Sequence, residues 1–238
     1  MVSKKASLSK SVGLFILALG SFLALRWGLF EPFVIPSGSM IPTLLINDHI
    51  LVSKYTFGVR LPFSSIWLSA PHLPQRGDVV VFRSVEQDDY YLIKRVVGLP
   101  GDKVEFTTDG DLRINDQLVP KDEVAWASEL GRTELQDEPE NYKLLNETLG
   151  EHRHQVLLEK NGFRYTETGH VVSENHLFLM GDNRDRSRDS RFWGELPTER
   201  LLGQARWVWL SCSETVSNIN FLCDPRHIRW QRTFHRIE

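Results

Sequence analysis

Two serines and a lysine carry the chemistry that this 238-residue sequence offers. Ser37 and Ser39 lie in the run Pro32-Phe33-Val34-Ile35-Pro36-Ser37-Gly38-Ser39-Met40-Ile41-Pro42-Thr43-Leu44. Prolines fix φ and the glycine frees it, so the run reads as a shaped turn presenting two hydroxyls. Taken alone it is equally an ordinary Ser-Gly-Ser loop. Lys94 stands in Tyr90-Tyr91-Leu92-Ile93-Lys94-Arg95-Val96-Val97, which ends in Gly98-Leu99-Pro100-Gly101-Asp102. In a strand Leu92, Lys94 and Val96 share one face. An amine between apolar neighbours loses water, and burial lowers a lysine pKa from roughly 10.4. A neutral amine accepts a proton; a lysine snorkelling at a sheet rim does not. Arg95 points the other way with Ile93 and Val97 and reads as structural.

A third stretch, Met180-Gly181-Asp182-Asn183-Arg184-Asp185-Arg186-Ser187-Arg188-Asp189-Ser190-Arg191-Phe192-Trp193-Gly194, is dense in side chains that fold a loop onto itself. Met180, Phe192 and Trp193 should anchor its ends in a core. Together the three stretches supply peptide hydrolysis. A serine hydroxyl is a weak nucleophile and needs an adjacent base, which a neutral lysine provides. An oxyanion needs donors aimed at it, and the Ser37 hydroxyl and Ser39 N–H are placed to serve. None of the three stretches contains histidine, which weakens a Ser-His-Asp reading.

These residues need a frame. Strands are expected at His49–Val52, Val79–Phe82, Tyr90–Val97, Val104–Phe106 and Leu112–Leu118. A further strand is expected at Gln204–Leu210, with Ala205, Trp207 and Trp209 alternating against Gln204, Arg206 and Val208. The spacing predicts a mainly β, antiparallel body. Residues 121–174 are less legible, with Glu, Asp and Asn crowding Glu134–Glu147. His152 and His154 lie two apart, but no third metal ligand of matching spacing follows, so a plain strand is the better reading. The seven tryptophans fit a packed β body or a membrane-facing surface equally. Cys212 and Cys223 form no CxxC pair and are either two buried thiols or a disulfide. A net charge of -3 gives no field that recruits nucleic acid.

Lys4, Lys5 and Lys10 precede an apolar run from Val12 to Leu25, continued past Arg26 through Trp27 to Phe30. About 19 residues at 1.5 Å each approach the thickness of a bilayer core. Arg26 can snorkel beside Trp27 at the far interface, and the lysines favour a cytosolic N-terminus. A cleaved signal or a buried core helix is the competing reading. The stretch Leu61–Ala70, with Phe63, Ile66, Trp67 and Leu68, is too short to cross and could dip into the interface.

The quoted runs contain PSGSMIPTL, GDVVVF, LIKRVVGLPGD and MGDNRDRSRDSRFWG, in that order. They resemble the bacterial signal peptidase I family, whose pattern is PSGSM-x-PT, GDxVVF, YIKRxxGLPGD and GDNRxxSxDSRxWG. The resemblance implies an inner-membrane serine endopeptidase with a Ser/Lys dyad and no cofactor or metal. It would cut signal peptides from exported preproteins after Ala-x-Ala sites. By motif, Ser39 would be the nucleophile, Lys94 the general base and Ser37 the completion of the oxyanion hole. Ser187 would orient the amine, and Asp189 and Arg191 would pair to hold the loop. Phe33, Ile35, Met40, Leu44, Leu92 and Ile93 would line shallow pockets for small side chains. Leu92 stands where the family often has tyrosine, and a single span stands where some members have two.

The implied organisation is a cytoplasmic N-terminus (1–10), a transmembrane anchor (11–30), a catalytic β domain in two parts (31–106 and 175–238) on the periplasmic side, and an appended smaller β-rich lobe (107–174). The expected partners are preproteins and membrane lipid. A self-cleaving repressor also uses serine and lysine, but it would need an N-terminal DNA-binding domain where this chain has an apolar segment. A membrane-tethered binding protein would have no need of an intact Ser39 and Lys94.

Overall fold

The structure is a computed structural model that describes residues 3–58, 68–69, 72–125, 135, 139–162, 169–216 and 219–238. A helix, α1 (Ser3–Leu29), leads directly into β1 (Phe30–Val34). The body is antiparallel β, as the strand spacing predicts. Its main sheet runs β1, β2 (Asp48–Ser53), β14 (Leu201–Ser211), β3 (Val79–Arg83), β4 (Tyr91–Gly98), β12 (His176–Met180) and β13 (Leu196–Pro197), with β17 (His235–Arg236) also on β14. Two smaller sheets lie between β4 and β12 in the chain. One joins β5 (Lys103–Phe106), β6 (Leu112–Ile114), β7 (Gln117–Leu118) and β11 (His170–Val171). The other joins β8 (Lys121–Glu123), β9 (Tyr142–Leu149) and β10 (His152–Glu159). A hairpin of β15 (Thr215–Val216) and β16 (Ile219–Cys223) follows β14.

Both faces of the main sheet are covered, which explains the unbroken apolar run of β3. Val79 and Val81 enter a core with Ile50, Val52, Ile93, Ala205 and Val208. Val80 and Phe82 enter another with Val96, Leu177, Leu179 and Leu196. A short strand buried on both sides has no polar face to show.

Two expected strands differ in detail. The strand expected across Leu112–Leu118 is a hairpin, with Arg113 opposite Leu118 and Ile114 opposite Gln117. Asn115 and Asp116 make its two-residue turn with φ of 51° and 66°. Asn and Asp tolerate that left-handed backbone, which matches the twist of the flanking strands. In β14 the expected alternation fails. The register shifts between Ala205 and Trp207 and again between Val208 and Leu210. Ala205 and Val208 are therefore both buried, while Trp207 and Trp209 are exposed.

Cys212 and Cys223 are joined in a disulfide across the β15–β16 hairpin, with Cα atoms 5.7 Å apart. His49 Nδ1 lies 3.8 Å from the Cys223 sulfur. Among the described residues these three form the only cluster of potential metal donors, and its sulfurs are tied to each other.

Among the described residues no helix is long and apolar enough to cross a membrane. The side chains of residues 22–27, Arg26 and Trp27 with them, lie outside the described set, as do residues 61–67 and 70 of the expected interfacial stretch.

Candidate active site

The loop that carries Ser39 is closed at its neck. Ile35 N donates to Asp48 O and Asn47 N to Ile35 O, both at 2.9 Å, so residues 36–46 bulge between β1 and β2. Inside it, Ile41 N bonds Gly38 O and Leu44 N bonds Met40 O, giving tight turns. These turns send Met40 and Leu44 into one core and Ile41 and Leu45 into another, with Tyr142, Leu144 and Leu157. Four buried side chains on opposite sides thus pin the segment that follows the serine.

Lys94 comes from the middle of β4, where β12 pairs only with Arg95, Val96 and Gly98. Its side chain is 3 % exposed. The Nζ atom lies 2.7 Å from Ser39 Oγ and donates to Ile93 O at 2.9 Å. Burial brings the amine pKa down to about 8; Asp189 and Asp182 pull upward against burial and Arg191 pushes down. An amine so placed is neutral in a large fraction of molecules at mildly alkaline pH and can take the proton of the alcohol it touches.

The third stretch wraps over this pair. Asp182 accepts from Arg95 Nε and Nη2, each at 2.8 Å, and from Thr43 Oγ1 at 2.5 Å. Burial would raise its carboxyl pKa, but Arg95 holds it below the usual carboxylate range. Asp189 accepts from Arg191 Nε and Nη2 at 2.8 Å and from Gly181 N at 3.0 Å. Asn183 donates from its backbone to Ser39 O at 3.1 Å and from its side chain to Gly38 O at 3.0 Å. The loop is therefore bonded to the serine segment by backbone as well as side chains.

The residues singled out from sequence are brought together unevenly. Ser39 and Lys94 are in contact, and Asp189 pairs with Arg191. Ser37 is exposed two residues upstream of Ser39. Ser187 is buried beside Gly181, but among the described residues its hydroxyl has no hydrogen-bond partner, and the amine bonds to Ser39 and Ile93 instead. Phe33, Ile35, Met40, Leu44 and Ile93 gather in one apolar cluster. Leu92 does not join them: it packs on the other face of the sheet, against the cluster of Phe82 and Val96, because neighbouring strand residues point oppositely.

Other residues at the site were not visible in the sequence. Thr43 and Asn183 were inside the motifs but had no assigned contact. Glu147 and His154 lie in the least legible stretch. Tyr91 stacks edge-on against Phe33, with ring centroids 5.6 Å apart.

A buried amine in contact with a serine hydroxyl, framed by ion-paired loops on a β body, is an arrangement in which the alcohol can lose its proton to the amine. Comparison with known proteins narrows the class. The chain belongs to the family described as signal peptidase, peptidase S26, which matches residues 8–210. It is 42% identical over 204 residues to a signal peptidase I of Pseudomonas fluorescens, covering 81% of this chain and 69% of that one. Identity to a signal peptidase I of Rickettsia typhi is 35% over 210 residues, covering 81% and 76%. A solved signal peptidase I of Enterococcus faecalis is 26% identical, covering 56% of this chain and 97% of that one, at a TM-score of 0.33, too low to bear on the fold. The chain is thus a serine endopeptidase.

Proposed function

We propose that this chain removes N-terminal signal peptides from exported preproteins, cutting after small residues of the Ala-x-Ala type. One observation carries the reading: the buried Lys94 amine lies 2.7 Å from Ser39 Oγ. Nζ takes the hydroxyl proton as Oγ bonds to the scissile carbonyl carbon. The carbonyl oxygen gains the displaced electron pair, and the Ser39 N–H and Ser37 hydroxyl donate to it. Collapse breaks the peptide C–N bond, the lysine ammonium protonates the leaving amine, and an acyl-Ser39 remains. Water then repeats the cycle with the same amine as base.

The β4 edge at Tyr91–Lys94 is paired with β3 alone among the described residues, which leaves an edge on which an extended substrate can add as a strand. Phe33, Ile35, Met40, Leu44 and Ile93 supply the apolar floor beside it. Asp189 and Arg191 hold the loop over Lys94, with Ser187 packed beneath.

Membrane attachment belongs to the same proposal. Leu14, Phe15, Ile16 and Leu17 on α1 are all more than 60 % exposed. The helix has 27 residues, or about 40 Å at 1.5 Å per residue, against a bilayer core of about 30 Å. Lipid would cover that surface, with the lysine flank in the cytosol and the β body outside.

Cleavage of a preprotein in lipid vesicles by the wild type, Ser39→Ala and Lys94→Ala chains tests the dyad. Both variants should be inactive while still folded; full activity in either refutes it.

A further inference from the structure

We propose that Glu147, on the smaller sheet outside the main body, is a positioning residue for the nucleophile, acting through Arg184. The inference rests on the reading of Ser39 given above. Glu147 is 2 % exposed and takes both terminal nitrogens of Arg184 in a bidentate pair, with Nη1 to Oε2 at 2.8 Å. Arg184 Nε donates to Gly181 O at 3.2 Å. Gly181 lies so close to the serine that a Cβ on it would come 2.5 Å from Ser39 O. Asn183, next to Arg184, donates its N–H to that same carbonyl oxygen. A continuous line of contacts therefore runs from β9 through one guanidinium to the backbone of the nucleophile.

Other groups show why the line needs its far end. Arg191 Nη2 donates to Arg184 O at 2.5 Å, so the loop that shields Lys94 hangs on the same residue. Leu157 N donates to Asp182 O at 2.8 Å, which gives the loop a second hold on β10. His154 Nε2 lies 3.4 Å from Glu147 Oε1 and 3.9 Å from Asp182 Oδ1. Burial, then Arg95, lowers the His154 pKa, and an imidazole carries no negative charge with which to replace Glu147 beside the Arg184 guanidinium. Without Glu147, Arg184 keeps a buried charge on which Asp182 and Asp189 still act, the same two carboxylates that act on Lys94. The guanidinium would draw on those carboxylates and pull the loop from its register over Ser39.

The test is a cycle of Glu147→Met, Arg184→Met and the double variant in the full chain. It reads kcat and KM on a signal-peptide substrate, melting temperature, and hydrogen exchange at the Gly181 and Asn183 amides. Replacing both members of a buried ion pair with apolar residues commonly restores stability. A small misplacement of reacting groups costs on the order of a hundredfold in rate. The expected result is a kcat loss of at least about tenfold in both single variants and in the double, with KM within about threefold. Both amides should lose protection in all three variants, while the melting temperature of the double recovers. Turnover that recovers with stability in the double, or a kcat within about twofold of wild type in Glu147→Met, overturns the proposal. If the wild type cleaves no signal peptide, the proposed function falls, and amide exchange alone decides the role of Glu147: protection kept in Glu147→Met then overturns it.

Discussion

Arg95 and Asp182 meet face to face in the interior, two guanidinium nitrogens each 2.8 Å from a carboxylate oxygen, with side-chain exposures of 0% and 1%. Each is the chain neighbour of a residue at the chemistry: Arg95 follows Lys94, and Asp182 follows Gly181. The pair therefore locks the register of the lysine strand against the loop packed on the serine. Arg95 also donates to Gly77 O at 2.7 Å, which ties the same junction to the approach to β3.

Removing one partner leaves the other charged and buried. Asp182→Asn should lower the unfolding free energy by roughly 3–5 kcal/mol, whereas Arg95→Met with Asp182→Leu should lose much less. Urea denaturation of the three proteins measures the difference. Equal losses in the single and double variants would mean that the pair does not act as a unit.

With Lys94 as the proposed base, the pH dependence of cleavage follows from its amine. Its pKa of about 8 means that the protonated form dominates at pH 7 and cannot serve as base. The rate should climb about tenfold per pH unit below that value and level off above it. Stability moves in the same direction. The unfolded chain, with a lysine pKa near 10.5, holds a proton that the folded chain releases at about 8, so unfolding free energy rises with pH between those values. Lys94→Met should be inactive, more stable at neutral pH by roughly 3 kcal/mol, and flat across that window. Paired rate profiles and urea titrations at pH 7 and 10 check both signs.

Gly181 has no room for a side chain. A Cβ there would overlap the Ser187 hydroxyl and press on the Ser39 carbonyl. The backbone oxygen cannot swing aside as a side chain can, so Gly181→Ala should displace the serine and reduce turnover on the order of a hundredfold. The accompanying stability loss should be about 1–3 kcal/mol. Adding Ser187→Gly should restore stability but only a small part of the rate. Single-turnover kinetics beside thermal melts separate the two effects.

Local patterns carried much of the site and little of its support. The Ser39 turn and the Lys94 strand were readable because prolines, glycines and β-branched runs constrain the backbone over a few residues. Their contact across 55 positions was expected from the need of a serine for an adjacent base and from the family resemblance, since no local pattern in either stretch points to the other. The displacement of Leu92 to the opposite face was implicit in strand alternation, since Ile93 and Leu92 cannot line one wall. Trp207 and Trp209 misled because bulges in β14 are set by its partners β2 and β3, which a strand's own sequence does not specify. Glu147 stayed hidden for a related reason: its charge is explained by an arginine 37 positions away.

The helix hands over to β1 with no intervening linker, Leu29 to Phe30, and five residues later the chain enters the loop of Ser39. With α1 held in lipid, the scissile position has a set elevation above the bilayer, like a blade mounted on a fixed post. Under the proposed function, discrimination among exported chains would then depend on where along its length a bound peptide crosses that height, so the span between an apolar segment and its cut point would become a measured distance as much as a matter of side-chain fit.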